Sequence, residues 1–94
     1  MIHRLGDSRA AIPLYDRAIE IREQLVNIEG RSDLIGDLAW TKASRGLALL
    51  RMGNIIEGNR TVSKALAVLN AEAVRTKRLD LKAAFDTITK QLEN

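Results

Sequence analysis

Two apolar-periodic runs between Trp40 and Leu69 flank the pair Gly53-Asn54, with small residues where two helices would cross: Gly46 in the first run, Gly58 and Ala65 in the second. Glycine inside a helix lowers its stability by up to about 1 kcal/mol relative to alanine. Two mid-helix glycines are therefore expected only where backbones must approach closely. The pattern predicts an antiparallel helical hairpin, with Gly53 ending the first helix and Asn54 opening the second. Glu57, three residues on, completes an asparagine version of the capping box.

On either side of this hairpin the chain reads as further helix. Met1 to Leu5 reads as the last turn of a preceding helix, and Gly6-Asp7 as a turn whose aspartate caps the next one. Ala11, Leu14, Ala18, Ile21, Leu25 and Ile28 then recur at spacings of three and four, a single apolar stripe. Pro13 predicts an irregular or kinked first turn. Glu29-Gly30-Arg31 breaks the pattern, and Ser32 or Asp33 is placed to cap a helix running to about Met52. On that helix Ile35, Leu38, Ala39, Ala43, Gly46, Leu49 and Leu50 share one broad face at about 100° per residue. Lys42 lies among them with its ammonium directed outward. The third helix is expected to bury Gly58, Val62, Ala65, Leu66, Leu69 and Ala73. After a basic junction from Arg75 to Leu79, Asp80 caps a last helix whose stripe is Leu81, Ala84, Phe85, Ile88 and Leu92.

Composition supports an all-α fold with one core. Only Tyr15, Trp40 and Phe85 are aromatic and Pro13 is the single proline, so packing must rest on Leu, Ile, Val and Ala. The absence of cysteine removes disulfides, thiol nucleophiles and cysteine metal sites, and fits a reducing, cytoplasmic setting. No apolar stretch reaches the length of a membrane span or signal peptide. A net charge of +3 is modest, but it is unevenly spread. Between Asp37 and Glu72 the sole acid is Glu57, against Lys42, Arg45, Arg51, Arg60 and Lys64. Catalysis finds no candidate group: His3 is the only histidine, the carboxylates are scattered at helix ends, and Gly53 to Gly58 lacks the spacing of a phosphate loop. The expectation is a non-enzyme without cofactor or metal.

Sliding the chain along itself brings out a period of about 47 residues. Gly6 falls on Gly53, Asp7 on Asn54, Arg17 on Lys64, Ala18 on Ala65, Ile19 on Leu66 and Ile21 on Val68. Further on, Arg31 meets Arg78, Asp33-Leu34 meets Asp80-Leu81, and Leu38 meets Phe85. Periods of this size belong to helical solenoids. The residues Gly46, Leu49-Leu50, Gly53-Asn54, Gly58 and Ala65 resemble the pattern of the tetratricopeptide repeat family. The earlier stretch with Gly6-Asp7, Ala11, Tyr15 and Ala18 is similar to the second helix of a preceding repeat. The period exceeds the family's roughly 34 residues, which implies lengthened helices, and Lys42 stands where the family has an aromatic residue, with Trp40 two positions earlier.

The resemblance implies a single domain over residues 1–94 in which about four helices stack as antiparallel hairpins in a short solenoid of the tetratricopeptide kind. Its parts would be a partial repeat over 1–31, a full hairpin over 32–77 and a final helix over 80–93. The family's first helices line a peptide-binding concave face. Here that face would be Trp40, Ser44, Leu47 and Arg51, continued by Thr87, Lys90 and Gln91. Against this stands simple packing of Trp40 and Leu47 on a neighbouring helix or subunit. The expected function is a scaffold or adaptor module binding a protein or peptide, with Arg51, Lys42 and Lys90 attracting an acidic segment. Nucleic-acid binding through the basic hairpin and Arg75, Lys77, Arg78 and Lys82 is the alternative, and a purely structural oligomerisation segment is a third reading. The stripe on the helix after Asp7 is expected to be covered by another copy of the chain, giving a homo-oligomer, or by a longer parent protein.

Overall fold

The computed structural model of the chain describes residues 5–93, and side chains from Arg9 to Leu92. His3 and the expected helix tail before Leu5 lie outside the described residues. Four α-helices follow one another: α1 (Leu5–Asn27), α2 (Ile35–Arg51), α3 (Ile55–Thr76) and α4 (Leu79–Glu93), with a single 3-10 turn, Ser32–Leu34, ahead of α2. No strand occurs among the described residues. None of these helices is long and apolar enough to cross a membrane.

The α2–α3 hairpin is the centre of the molecule. A Cβ built on Gly46 would stand 2.5 Å from Val62 Cγ2, 3.0 Å from the Val62 backbone nitrogen and 3.2 Å from the Gly58 carbonyl oxygen. One on Gly58 would stand 2.8 Å from Leu50 Cδ2 and 3.0 Å from the Leu50 nitrogen. The helices therefore touch backbone to backbone. This close approach lets short side chains close the core: Ala39 and Ala43 of α2, Val62, Ala65, Leu69 and Ala73 of α3, and Leu81, Ala84 and Ile88 of α4 form one buried cluster. Leu81 seats α4 directly over Gly36, where a Cβ would overlap its side chain.

Helix α1 is different. It contributes no residue to that cluster, and none of its described side chains is fully buried. It packs on α2 and the 3-10 turn, its backbone standing apart from those of α3 and α4 among the described residues. Ion pairs border this packing: Arg45 Nε donates to Asp16 Oδ1 at 2.6 Å, and Lys42 Nζ lies 3.4 Å from Glu23 Oε2. The outward reach of Lys42 expected from its position is thus directed at α1.

The ends of the helices depart from the sequence reading in instructive ways. Gly6 and Asp7 lie inside α1, so the expected turn there does not form, and Pro13 is accommodated within a continuous helix. The stop at Gly53 does form. Gly53 takes φ +87°, its N–H donates to the Leu50 carbonyl at 3.0 Å, and the Asn54 N–H reaches the Leu49 carbonyl at 2.9 Å. This is the Schellman arrangement, which satisfies carbonyls left open at a helix end. Asn54 meets Glu57, but through its amide, Nδ2 donating to Oε2 at 3.1 Å, with no side-chain cap bond. Neither Ser32 nor Asp33 caps α2, whose N-cap is Leu34. Asp33 is instead held by Arg31, Nε to Oδ1 and Nη2 to Oδ2 both at 3.1 Å.

That Arg–Asp clamp recurs one period later. Arg78 grips Asp80 with Nε to Oδ1 at 3.1 Å and Nη2 to Oδ2 at 2.6 Å. Just before each arginine the backbone turns left-handed, at Gly30 (φ +69°) and at Lys77 (φ +58°). The α1–α2 and α3–α4 junctions are thus built alike, with 47 positions between corresponding residues. In the other apolar stripes the reading holds for most positions. Exceptions are Leu92, 41% exposed, and the buried Gly36, Ala48 and Glu72, which the stripes did not include.

Two substitutions check this architecture by chemical denaturation. Gly46→Ala should lower stability by about 1–3 kcal/mol, because overpacking against backbone outweighs the better helix propensity. Lys77→Gly should raise it by about 1 kcal/mol, since only glycine adopts the left-handed region without a Cβ penalty.

Candidate functional site

On the face of α2 away from α3, the stripe Trp40, Ser44, Leu47 and Arg51 opens into a groove of about 530 Å³. The spacing i, i+4, i+7, i+11 keeps these four residues on one side of the helix. Tyr15 of α1 forms one wall, and Ala83, Ala84, Thr87, Ile88 and Gln91 of α4 form the other, with Asp80 at its edge. Trp40 remains 40% exposed. Its ring is neither sealed in the core nor fully in water. The Ser44 hydroxyl donates to the Trp40 carbonyl at 3.0 Å, leaving its lone pairs free to accept.

Six of the seven sequence-predicted residues therefore meet in one groove: Trp40, Ser44, Leu47, Arg51, Thr87 and Gln91. Lys90 does not line it. On a helix, neighbouring residues project about 100° apart, so Gln91 facing the groove carries Lys90 away from it. Lys42 also lies elsewhere, in an apolar recess between α2 and α3 shared with Ile35, Leu38, Thr61, Lys64 and Val68. Of the three cations expected to attract an acidic segment, only Arg51 reaches the groove. It has no ion-pair partner among the described residues, whereas Asp80 is bound to Arg78. The sequence does not single out Tyr15 or Asp80 for the groove, because they come from helices whose placement depends on tertiary packing.

The basic junction is largely neutralised. Glu72, buried on α3, accepts from Arg75 Nε at 2.8 Å and Nη2 at 2.7 Å, and this holds its carboxyl below the usual glutamate range. Lys82 Nζ lies 2.9 Å from Asp86 Oδ1. Arg78 combines its clamp on Asp80 with longer contacts of 3.4 Å to both Asp37 carboxylate oxygens, tying the start of α2 to the α3–α4 junction. Its pKa is raised by the hydrogen bonds to Asp80 and Asp37, and that of Asp80 is lowered by the same Arg78 bond. Asp33 is lowered in the same way by Arg31. Of the expected nucleic-acid cluster, Lys77 alone has no ion pair among the described residues. No group of three or more His, Cys, Asp or Glu placed to hold a metal occurs among the described residues.

No protein-family model, curated protein or solved structure matches the chain.

A carboxyl whose folded pKa is depressed adds stability above its unfolded value and loses it as pH falls through the folded value. Asp80, Asp33 and Glu72 are all of this kind. The thermal midpoint should therefore fall as the pH is taken from about 5 to about 3. Asp80→Asn should start lower at neutral pH and show a shallower acid slope, readable by circular dichroism melts.

Proposed function

We propose that the chain is a non-enzymatic protein-interaction module whose α1–α2–α4 groove receives a short segment of another protein. The observation that carries this reading is the convergence of Trp40, Tyr15, Leu47 and Arg51 on one open groove. Tryptophan, tyrosine and arginine are the residue types that dominate binding energetics when water is excluded around them. A half-exposed tryptophan offers a ligand a large apolar area at little conformational cost. The ligand best matched to the lining has an apolar anchor for Trp40 and Leu47 and one carboxylate within reach of Arg51.

The proposal includes the stacking of the helices as a short solenoid of the tetratricopeptide kind, with α2 and α3 as its full hairpin and α1 and α4 as the adjoining halves. The matched junctions at Gly30–Asp33 and Lys77–Asp80 support it, as does the glycine crossing of α2 and α3. A cysteine-free chain suits the cytoplasm, where disulfides are rare. Nucleic-acid binding is the weaker reading, because Arg75, Arg78 and Lys82 are each engaged by a carboxylate.

Selection from a random-peptide library on the immobilised protein tests the groove. The expected ligands share an apolar anchor and an acidic residue, and Trp40→Ala should weaken them by at least about tenfold, roughly 1.4 kcal/mol, with an unchanged far-ultraviolet spectrum. Failure to enrich any sequence, or ligands indifferent to Trp40→Ala and Arg51→Glu, would refute the reading.

A further inference from the structure

On the side of α2 turned about 180° from the Trp40 stripe, α2 and α3 enclose the recess of about 260 Å³ in which Lys42 lies. Its floor is Ala39 and Ala65, both buried. Because both side chains are single methyl groups, the crease between the helices is deep there, and no residue of α1 or α4 lines it among the described residues. The glycine crossing sets what stands at each end. Gly46 packs between Gly58 and Val62. The helices are antiparallel, so stepping back along α2 while stepping forward along α3 brings Lys42 level with Lys64 and Leu38 level with Val68. The recess is therefore amphipathic along its length. Lys42, Thr61 and Lys64 gather at one end, and Ile35, Leu38 and Val68 at the other.

We infer that this recess binds a small amphiphile with one carboxylate head and a medium-length aliphatic tail, of the class of octanoate. Charge identifies the head. No acidic residue lines the recess. Lys64 has no ion-pair partner among the described residues. Its helical neighbours at three and four positions, Arg60, Thr61, Ala67 and Val68, offer it no acid either. Lys42 is shared with Glu23 of α1 at 3.4 Å, and Asp16, the other acid that α1 turns to this side, is held by Arg45 at 2.6 Å. The head thus meets one free ammonium, part of a second, and the Thr61 hydroxyl, which can donate to it. That set fits a single negative charge better than a double one. The tail lies over Leu38, Ile35 and Val68, which folding leaves half-buried or exposed, so its binding removes apolar surface of both partners from water. Lys42 and Ile35 are seven residues apart, about 10 Å of helix, and this bounds the length of tail that is covered.

The inference is independent of the groove and is tested separately, by titrating the isotope-labelled chain with sodium octanoate and following its backbone amide signals by nuclear magnetic resonance. Those of Leu38, Lys42, Lys64 and Val68 should shift along one saturable isotherm with a Kd below about 1 mM, while those of Leu47 and Gln91 stay in place. Octylamine, with the same tail and the opposite charge, should leave the recess signals unmoved. Butanoate, with a shorter tail, should bind about tenfold more weakly. Lys64→Glu should weaken octanoate by at least about tenfold. Val68→Glu, an exposed position at the apolar end, should do the same by placing a carboxylate beside the tail, and it gives a second reading should Lys64→Glu alter the far-ultraviolet spectrum. Three results would overturn the inference: no saturation by about 5 mM octanoate, shifts centred on Trp40 and Leu47, which would place the ligand in the groove, or binding indifferent to both glutamates. Loss of groove ligands through Trp40→Ala touches none of these outcomes.

Discussion

Everything else in the molecule depends on the contact between Gly46 and Gly58. With a side chain at either position the α2 and α3 backbones could not come as near, and the alanines at 39, 43, 65 and 73 would be too short to bridge the gap. An interior wants the density of an organic crystal. A chain with only three aromatic residues reaches it by bringing backbones together rather than by filling space with rings. The position of α4 follows from the same economy, since Leu81 closes over Gly36 on the helix that already carries Gly46. Three of the four helices are thus locked by the absence of Cβ atoms at named places.

Charge organises what the glycines leave open. Most cations that the sequence places on the hairpin and the junction are engaged within the molecule: Lys42 and Arg45 by α1, Arg75 by Glu72, Arg78 by Asp80 and Asp37, Lys82 by Asp86. Exposed pairs of this kind are individually worth up to about 1 kcal/mol. Their larger effect is on what remains for a ligand. Arg51 is the cation that lines the groove, one guanidinium on the same stripe as a tryptophan in place of a basic field.

The two faces of α2 are legible in the amino-acid sequence. A 3.6-residue period separates the face built on Ala39, Ala43 and Gly46 from the stripe built on Trp40, Ser44, Leu47 and Arg51, and each lies where its angle places it. The helix caps are not legible in the same way. Asp33 and Asp80 have the chemistry of N-caps, yet each has an arginine two residues upstream that takes both carboxylate oxygens. A guanidinium fork offers a carboxylate two parallel charge-assisted bonds, and that arrangement takes both oxygens of each aspartate here. Gly6-Asp7 misleads for a related reason. It resembles Gly53-Asn54, but a glycine reads as a stop only where the carbonyls before it belong to a helix that is ending, and Gly6 lies inside α1 with the helix continuing after it. The groove walls at Tyr15 and Asp80 depend on how α1 and α4 lie across α2, which no single-helix period encodes.

Helix α1 would tie its own attachment to any binding in the groove. It is outside the buried cluster, and only half-buried side chains and surface ion pairs fasten it to α2. Segments with few buried contacts are the first to open in local unfolding. Tyr15, however, is a wall of the groove, so that site is complete only while α1 is docked. A ligand that touches both Tyr15 and Trp40 binds the docked form alone and stabilises it by mass action. Because such coupling is reciprocal, any change that strengthens the docking of α1 on α2 would strengthen binding in the groove by the same factor.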